Sequence, residues 1–154
     1  MTSFNDRSVR KSCVLVAGLL LLMLCFPDFS RAERLAVGVQ KANVRSGPGS
    51  QFDVIWEVEQ YHPFEVITKK GEWIRIRDFE KDEAWIHQSL LQKIDTVITS
   101  KDQCNVRSGP GSNFDIIFTT EKGIPFKVIS RQDQWLQIEH ADKDRGWIHQ
   151  SLVW

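Results

Sequence analysis

The sequence predicts an all-β protein: two tandem small β-barrels behind a signal peptide. Three observations carry that prediction. Arg7, Arg10 and Lys11 precede an apolar run from Cys13 to Phe26, which is the layout of a secretory leader. The octet Asn43-Val44-Arg45-Ser46-Gly47-Pro48-Gly49-Ser50 returns letter for letter as Asn105-Val106-Arg107-Ser108-Gly109-Pro110-Gly111-Ser112, an internal duplication. Between the repeated strings, apolar residues fall in short β-branched and aromatic runs without helical periodicity.

The leader comes first. Pro27 ends the apolar run and Ser30-x-Ala32 follows, so cleavage is expected after Ala32, with the remainder periplasmic or secreted. The run is about 14 residues, short of the roughly 20 that span a bilayer, so membrane contact is expected only through this segment if it stays uncleaved. Cys25 follows Leu22-Met23-Leu24 instead of a small residue and is a poor site for lipid attachment. Across the 154 residues, 42% are hydrophobic and 26% charged, which excludes a disordered, collagenous or multi-pass membrane chain. Lys+Arg and Asp+Glu are 20 each, so no nucleic-acid partner is expected. Of the 3 cysteines, only Cys104 lies beyond the leader, which excludes a disulfide-built scaffold.

The repeat keeps an offset of about 62 residues. It pairs Phe52 with Phe114, Pro63-Phe64 with Pro125-Phe126, and Trp73 with Trp135. It closes with Trp85-Ile86-His87-Gln88-Ser89-Leu90 matched by Trp147-Ile148-His149-Gln150-Ser151-Leu152. The domains are therefore expected at 33–92 and 93–154, joined by a connector of about five residues that holds the barrels in a restricted relation. Within the first unit, Val54 to Val58, Phe64 to Lys69, Glu72 to Arg77 and Ala84 to Ile86 read as strands. Lys70-Gly71 reads as a tight turn, and His87 to Leu90 as one helical turn. Val44, Val54, Val66, Ile74 or Ile76, and Leu90 are expected in the core, with Trp85 and Trp147 packed there too. Gly47 and Gly49 are explained by loop geometry, with a positive φ next to Pro48. Arg45 and Arg107 are expected to brace that loop through carbonyls or an acidic neighbour, the alternative being to present a charge to ligand.

Asn-Val-Arg-Ser-Gly-Pro-Gly, the later Gly71-x-Trp73 or Asp133-x-Trp135, and Ala/Gly-Trp-Ile-His-Gln-Ser-Leu resemble, in order and in both repeats, the bacterial Src homology 3-like (SH3b) domain. Asp78-Phe79-Glu80-Lys81 is similar to the acidic-aromatic turn of a subfamily found in exported bacterial proteins. Its counterpart, His140-Ala141-Asp142-Lys143, lacks the aromatic residue. The resemblance implies tandem SH3-like barrels and a peptide-like ligand, foremost the peptide part of peptidoglycan.

Read physically, Trp73 and Trp135 open a strand beside a turn, where an indole either covers the core or presents a platform to ligand. Tyr61, Trp73 and Asp78 in the first unit, with Trp135 in the second, are the expected ligand-binding residues. Catalysis is not expected. Cys104 stands where the first repeat has Ala42, as a small buried side chain would. His87 and His149 suit bonding around the terminal turn, and Asp82-Glu83 suits a solvated turn. Neither a triad nor a metal set emerges, and no cofactor is expected. With no catalytic segment expected after the second unit, action by contact is the reading. Two partners stay open: peptidoglycan peptide, or another envelope protein in an assembly role. Trp154 and the acidic excess of the first unit motivate the second.

Overall fold

A computed structural model describes residues 32–154, so the leader expected at 1–32 lies almost wholly outside the described residues. The chain is all-β, with two antiparallel sheets that each wrap one copy of the repeat. In the first unit the strands are β1 (Arg34–Val37), β2 (Lys41–Arg45), β3 (Val54–Glu59), β4 (Pro63–Lys70), β5 (Trp73–Arg77), β6 (Glu83–His87) and β7 (Leu91–Gln92), in the sheet order β3-β2-β6-β5-β4-β1-β7. The second has β8 (Thr96–Ile98), β9 (Cys104–Arg107), β10 (Ile116–Thr120), β11 (Pro125–Gln132), β12 (Trp135–Glu139) and β13 (Arg145–His149), in the order β10-β9-β13-β12-β11-β8. A short 3-10 turn follows β6 and β13, at Gln88–Leu90 and Gln150–Leu152. Among the described residues, no helix is long and apolar enough to cross a membrane.

Alternation along the strands builds one core per barrel. Val37, Val44, Phe64, Ile76 and Ile86 are fully buried in the first, and Val106, Phe126, Ile138 and Ile148 occupy the matching places in the second. Each such side chain contributes about 1.5–3 kcal/mol of apolar burial. Val66 and Leu90 pack against the core from partly buried positions.

Three expectations are corrected. Val54 is 47% exposed because the β2/β3 register shifts between Val44 and Arg45, so that Trp56 and Val58 supply that strand's core contacts. Trp85 and Trp147 lie between buried neighbours, Ala84 and Ile86 or Gly146 and Ile148, and therefore project from the opposite face of the strand, half-buried. Gly47 has no positive φ; a Cβ there would fall within the ring of Phe52, and one at Gly109 within that of Phe114. Close approach of an aromatic ring is the reason for those glycines. Among the described residues, the left-handed glycines are Gly71, in the β4–β5 turn, and Gly123.

The barrels meet through corresponding segments. Lys122, before β11, places its Nζ 2.7 Å from Glu80 Oε1, and its neighbour Gly123 faces Phe79. Reciprocally, Gln60, before β4, lines one depression with Ala141 and Asp142 in the turn after β12, and Tyr61 lies near enough to Lys143 to help Glu139 raise its pKa. Each barrel thus offers its β3–β4 type connection to the other's acidic turn, the self-complementary arrangement of a two-fold pair. Arg34 stacks on Trp154, 3.8 Å from the ring centroid, adding a third bond between barrels.

Candidate functional site

Trp73 opens β5 directly opposite His87 on β6, and their rings meet edge-on at 5.3 Å. Trp135 and His149 repeat this pair at 5.2 Å. In the first barrel Trp73, His87 and Leu90 line a groove of about 400 Å³ together with Lys41, Asn43 and Arg45. The Arg45 guanidinium is anchored in the groove wall, donating to the carbonyls of Ser50 at 3.1 Å and Phe52 at 2.7 Å. Arg107 does the same through Phe114 O at 2.8 Å, as its expected bracing role requires.

The imidazoles are fixed by the turn that follows them. His87 Nδ1 accepts the Ser89 N–H at 3.3 Å, and His149 Nδ1 accepts that of Ser151 at the same distance. With Nδ1 an acceptor, the bond network assigns the neutral ring's proton to Nε2. His149 donates it to Gln134 Oε1 at 3.0 Å. The first barrel has Glu72 at that position, and its carboxylate is bonded by the Gln88 amide instead. Among the described residues, no such acceptor is bonded to His87 Nε2.

The other expected ligand residues lie elsewhere. Asp78 follows the far end of β5, about 16 Å along the strand from Trp73 at roughly 3.3 Å per residue. It is buried, and its Oδ1 accepts the N–H groups of Glu80 and Asp82, both at 2.9 Å. Burial raises its pKa, against the pull of those two bonds. Its carboxylate lies within 4.8 Å of those of Glu80 and Asp82. That proximity belongs to the turn, in which Glu80 is also committed to Lys122. Tyr61 is 6% exposed, with φ at 72°, beneath the second barrel. Trp135 stands in the second barrel beside His149. The structure therefore groups Trp73 with His87 and Arg45 and separates it from Tyr61 and Asp78. His87 was legible as the partner only through the cross-strand register, which the sequence does not state.

Cys104 is buried, with its Sγ 3.1 Å from Lys101 O, and burial pushes the thiol pKa up, the opposite of what a nucleophile needs.

Fold and site together define a tandem pair of small β-barrels, each bearing a Trp-His surface pair. The model of the bacterial SH3 domain matches residues 38–93 and 100–154, and the chain belongs to that family. Among relatives, it is 24% identical over 159 residues to "Putative N-acetylmuramoyl-L-alanine amidase YrvJ" of Bacillus subtilis, covering 94% of this chain and 30% of that protein. It is 35% identical over 52 residues to "Probable cell wall amidase LytH" of Staphylococcus epidermidis, covering 33% of this chain and 18% of the relative. The chain thus spans under a third of the length of these curated relatives. Of solved structures, an NlpC/P60 family protein from Bacillus cereus superposes with a TM-score of 0.37 at 10% identity, covering 79% of this chain and 56% of that one. The endolysin LysPBC5 CBD gives 0.31 at 15%, covering 79% and 92%.

Proposed function

We propose that the chain is a non-catalytic, exported cell-envelope binding protein that recognises the peptide part of peptidoglycan through the Trp73 groove of its first barrel. The groove itself carries the reading. It combines an indole platform, the His87 Nε2–H free of the acceptor that its counterpart has, and the cations Lys41 and Arg45. Such a set suits an extended peptide, whose carbonyls and carboxylates accept from the donors while its backbone lies along the aromatic ring. Its size falls in the range of small-ligand sites. The relatives, a putative N-acetylmuramoyl-L-alanine amidase and a probable cell wall amidase, support the ligand class and the envelope location. Trp135 and His149 offer a second platform, and two platforms on one polymer gain avidity from a high effective concentration. Asp78 and Tyr61 serve this site at a distance, by holding the turn and the barrel contact.

The test is co-sedimentation of the full chain with purified peptidoglycan sacculi. Retention is expected for the wild type and lost in Trp73→Ala, with the urea midpoint of the variant unchanged. Undiminished retention of a folded Trp73→Ala, or no sedimentation of the wild type at moderate salt, would overturn the proposal. A second reading, contact with another envelope protein, is favoured by the apolar side chains on both edge strands. Val54 and Ile55 on β3 and Ile116 and Ile117 on β10 are each 45–49% exposed. A discrete crosslinked protein together with absence from sacculi would support it.

A further inference from the structure

A second pair of grooves runs along the other side of each barrel, between the β3 or β10 strand and the acidic turn. In the first barrel it is lined by Trp56, Glu59, His62, Phe79 and Glu80. The second barrel repeats it at the corresponding positions, about 380 Å³ in volume, with Phe118, Ile124 and Phe126 as apolar lining and Glu121, Asp142 and Asp144 as acids. Glu59 of the first barrel completes the wall.

At the edge of the first of these grooves, the acidic turn already pairs with an ammonium. Lys122 of the second barrel pairs with Glu80 at 2.7 Å, and its Nζ lies 5.7 Å from the centroid of the Phe79 ring. The residue that corresponds to Lys122 in the first barrel is Gln60, a neutral amide that donates to Gly38 O at 3.4 Å. Gln60 and Asp142 line one depression, so the lysine–acid pairing at the edge of the first groove has a positional counterpart without its charge. Among the described residues, no ion pair reaches Glu59, Glu121 or Asp144. The neighbouring bases Lys143 and Arg145 are committed to Glu139, at 3.3 and 2.5 Å, and Asp142 Oδ1 meets the His140 imidazole at 2.8 Å and accepts the Asp144 N–H at 3.2 Å.

We propose that the groove of the second barrel binds an aliphatic primary ammonium, the side-chain amine of a lysine-type residue in a peptide, as Glu80 and Phe79 at the edge of the first groove take Lys122. The apolar lining takes the methylene stem, and Asp142, Asp144 and Glu59 take the head. Ala141 in place of Phe79 removes the ring from the rim and widens the entrance. This site is separate from the Trp73 groove and does not depend on what that groove binds.

The experiment is a low-salt titration of the full chain with Nα-acetyl-lysine methylamide, followed by amide NMR shifts. Saturable shifts are expected at Phe118, Thr119, Thr120 and Asp142. The Nε-acetylated analogue should give none, and Trp73→Ala should bind as wild type does. Asp142→Asn with Asp144→Asn should weaken binding by about tenfold or more. Gln60→Lys, which restores the internal ammonium, should compete with the probe and lower its affinity without removing any acid. Absent shifts, shifts shared by the Nε-acetylated analogue, shifts confined to the Trp73 groove, or a Gln60→Lys variant that binds as tightly as wild type would each overturn the proposal.

Discussion

His62 ties the stability of the barrel pair to pH. Its ring packs against Phe64 at 4.7 Å and Phe79 at 6.3 Å, and its Nε2 is buried with no hydrogen-bond partner among the described residues. Burial lowers its pKa to about 4. In the unfolded chain the group returns to about 6.5, so between these values the unfolded state binds the proton and the folded state does not. The stabilisation is therefore complete above pH 6.5 and is lost progressively as pH falls towards 4. The span of about 2.5 units corresponds to about 3 kcal/mol in full, and to about 2 kcal/mol at pH 5. The second barrel supplies the control residue, since Ile124 occupies the corresponding position. Urea unfolding of the wild type and His62→Ile at pH 7.5 and 5.0 should show the wild type losing about 2 kcal/mol more than the variant. Carboxylates with shifted pKa values, among them Asp78, raised by burial, and Glu83, lowered by its Arg77 hydrogen bond, are common to both proteins and cancel in the difference. Parallel losses in the two proteins would refute the reasoning and show that the folded state admits water to His62.

Two further outcomes follow from single positions. Gly123 has φ at +87°, and a Cβ there would meet Phe79 Cζ at an ordinary 3.8 Å, so Gly123→Ala should cost roughly 1–2 kcal/mol through backbone strain alone. A urea midpoint equal to that of the wild type would contradict it. Cys104, buried and with its thiol pKa raised, should resist iodoacetamide at pH 8 in the native protein and react once urea unfolds it. Rapid labelling of the native chain would remove the basis for reading it as a core residue.

The strands were legible because their residues alternate and their turns carry Gly, Pro and Asp. Repetition of the Trp-Ile-His-Gln-Ser-Leu string likewise fixed the last strand and its 3-10 turn twice over. The faces of particular tryptophans were less legible. Trp85 reads as a core residue by size, yet Ala84 and Ile86 on either side take the inward positions, and an alternating strand leaves the indole no choice. Val54 fails for a different reason: a register shift between paired strands has no signature in one strand's sequence. In the candidate site, Trp73 was visible as an aromatic beside a turn, but His87 joins it only through cross-strand pairing. Tyr61 and Asp78 are buried, the one in a left-handed connection and the other by the N–H groups of its own turn, and neither arrangement is written in the local sequence.

Duplication explains why these contacts arise at the positions where the repeats differ. A repeated barrel brings the same connection and the same turn twice, so a reciprocal contact is available at no cost in new structure, and divergence then acts on each half separately. Gln60 against Lys122, Tyr61 against Gly123, His62 against Ile124 and Phe79 against Ala141 all fall in these facing segments. The left-handed backbone is kept at both Tyr61 and Gly123, so the connection must turn the same way in each barrel even where a tyrosine has to adopt the strained conformation. What differs is the partner of the acids: the first acidic turn has the Lys122 ammonium and its own Phe79 ring, and the second has the neutral amide of Gln60 and Ala141. Strict preservation of the Trp-His pair alongside divergence at the facing segments fits two roles, with the Trp-His faces kept alike for one class of ligand and the opposite grooves set apart, one to fasten the barrels and the other left with unpaired acids.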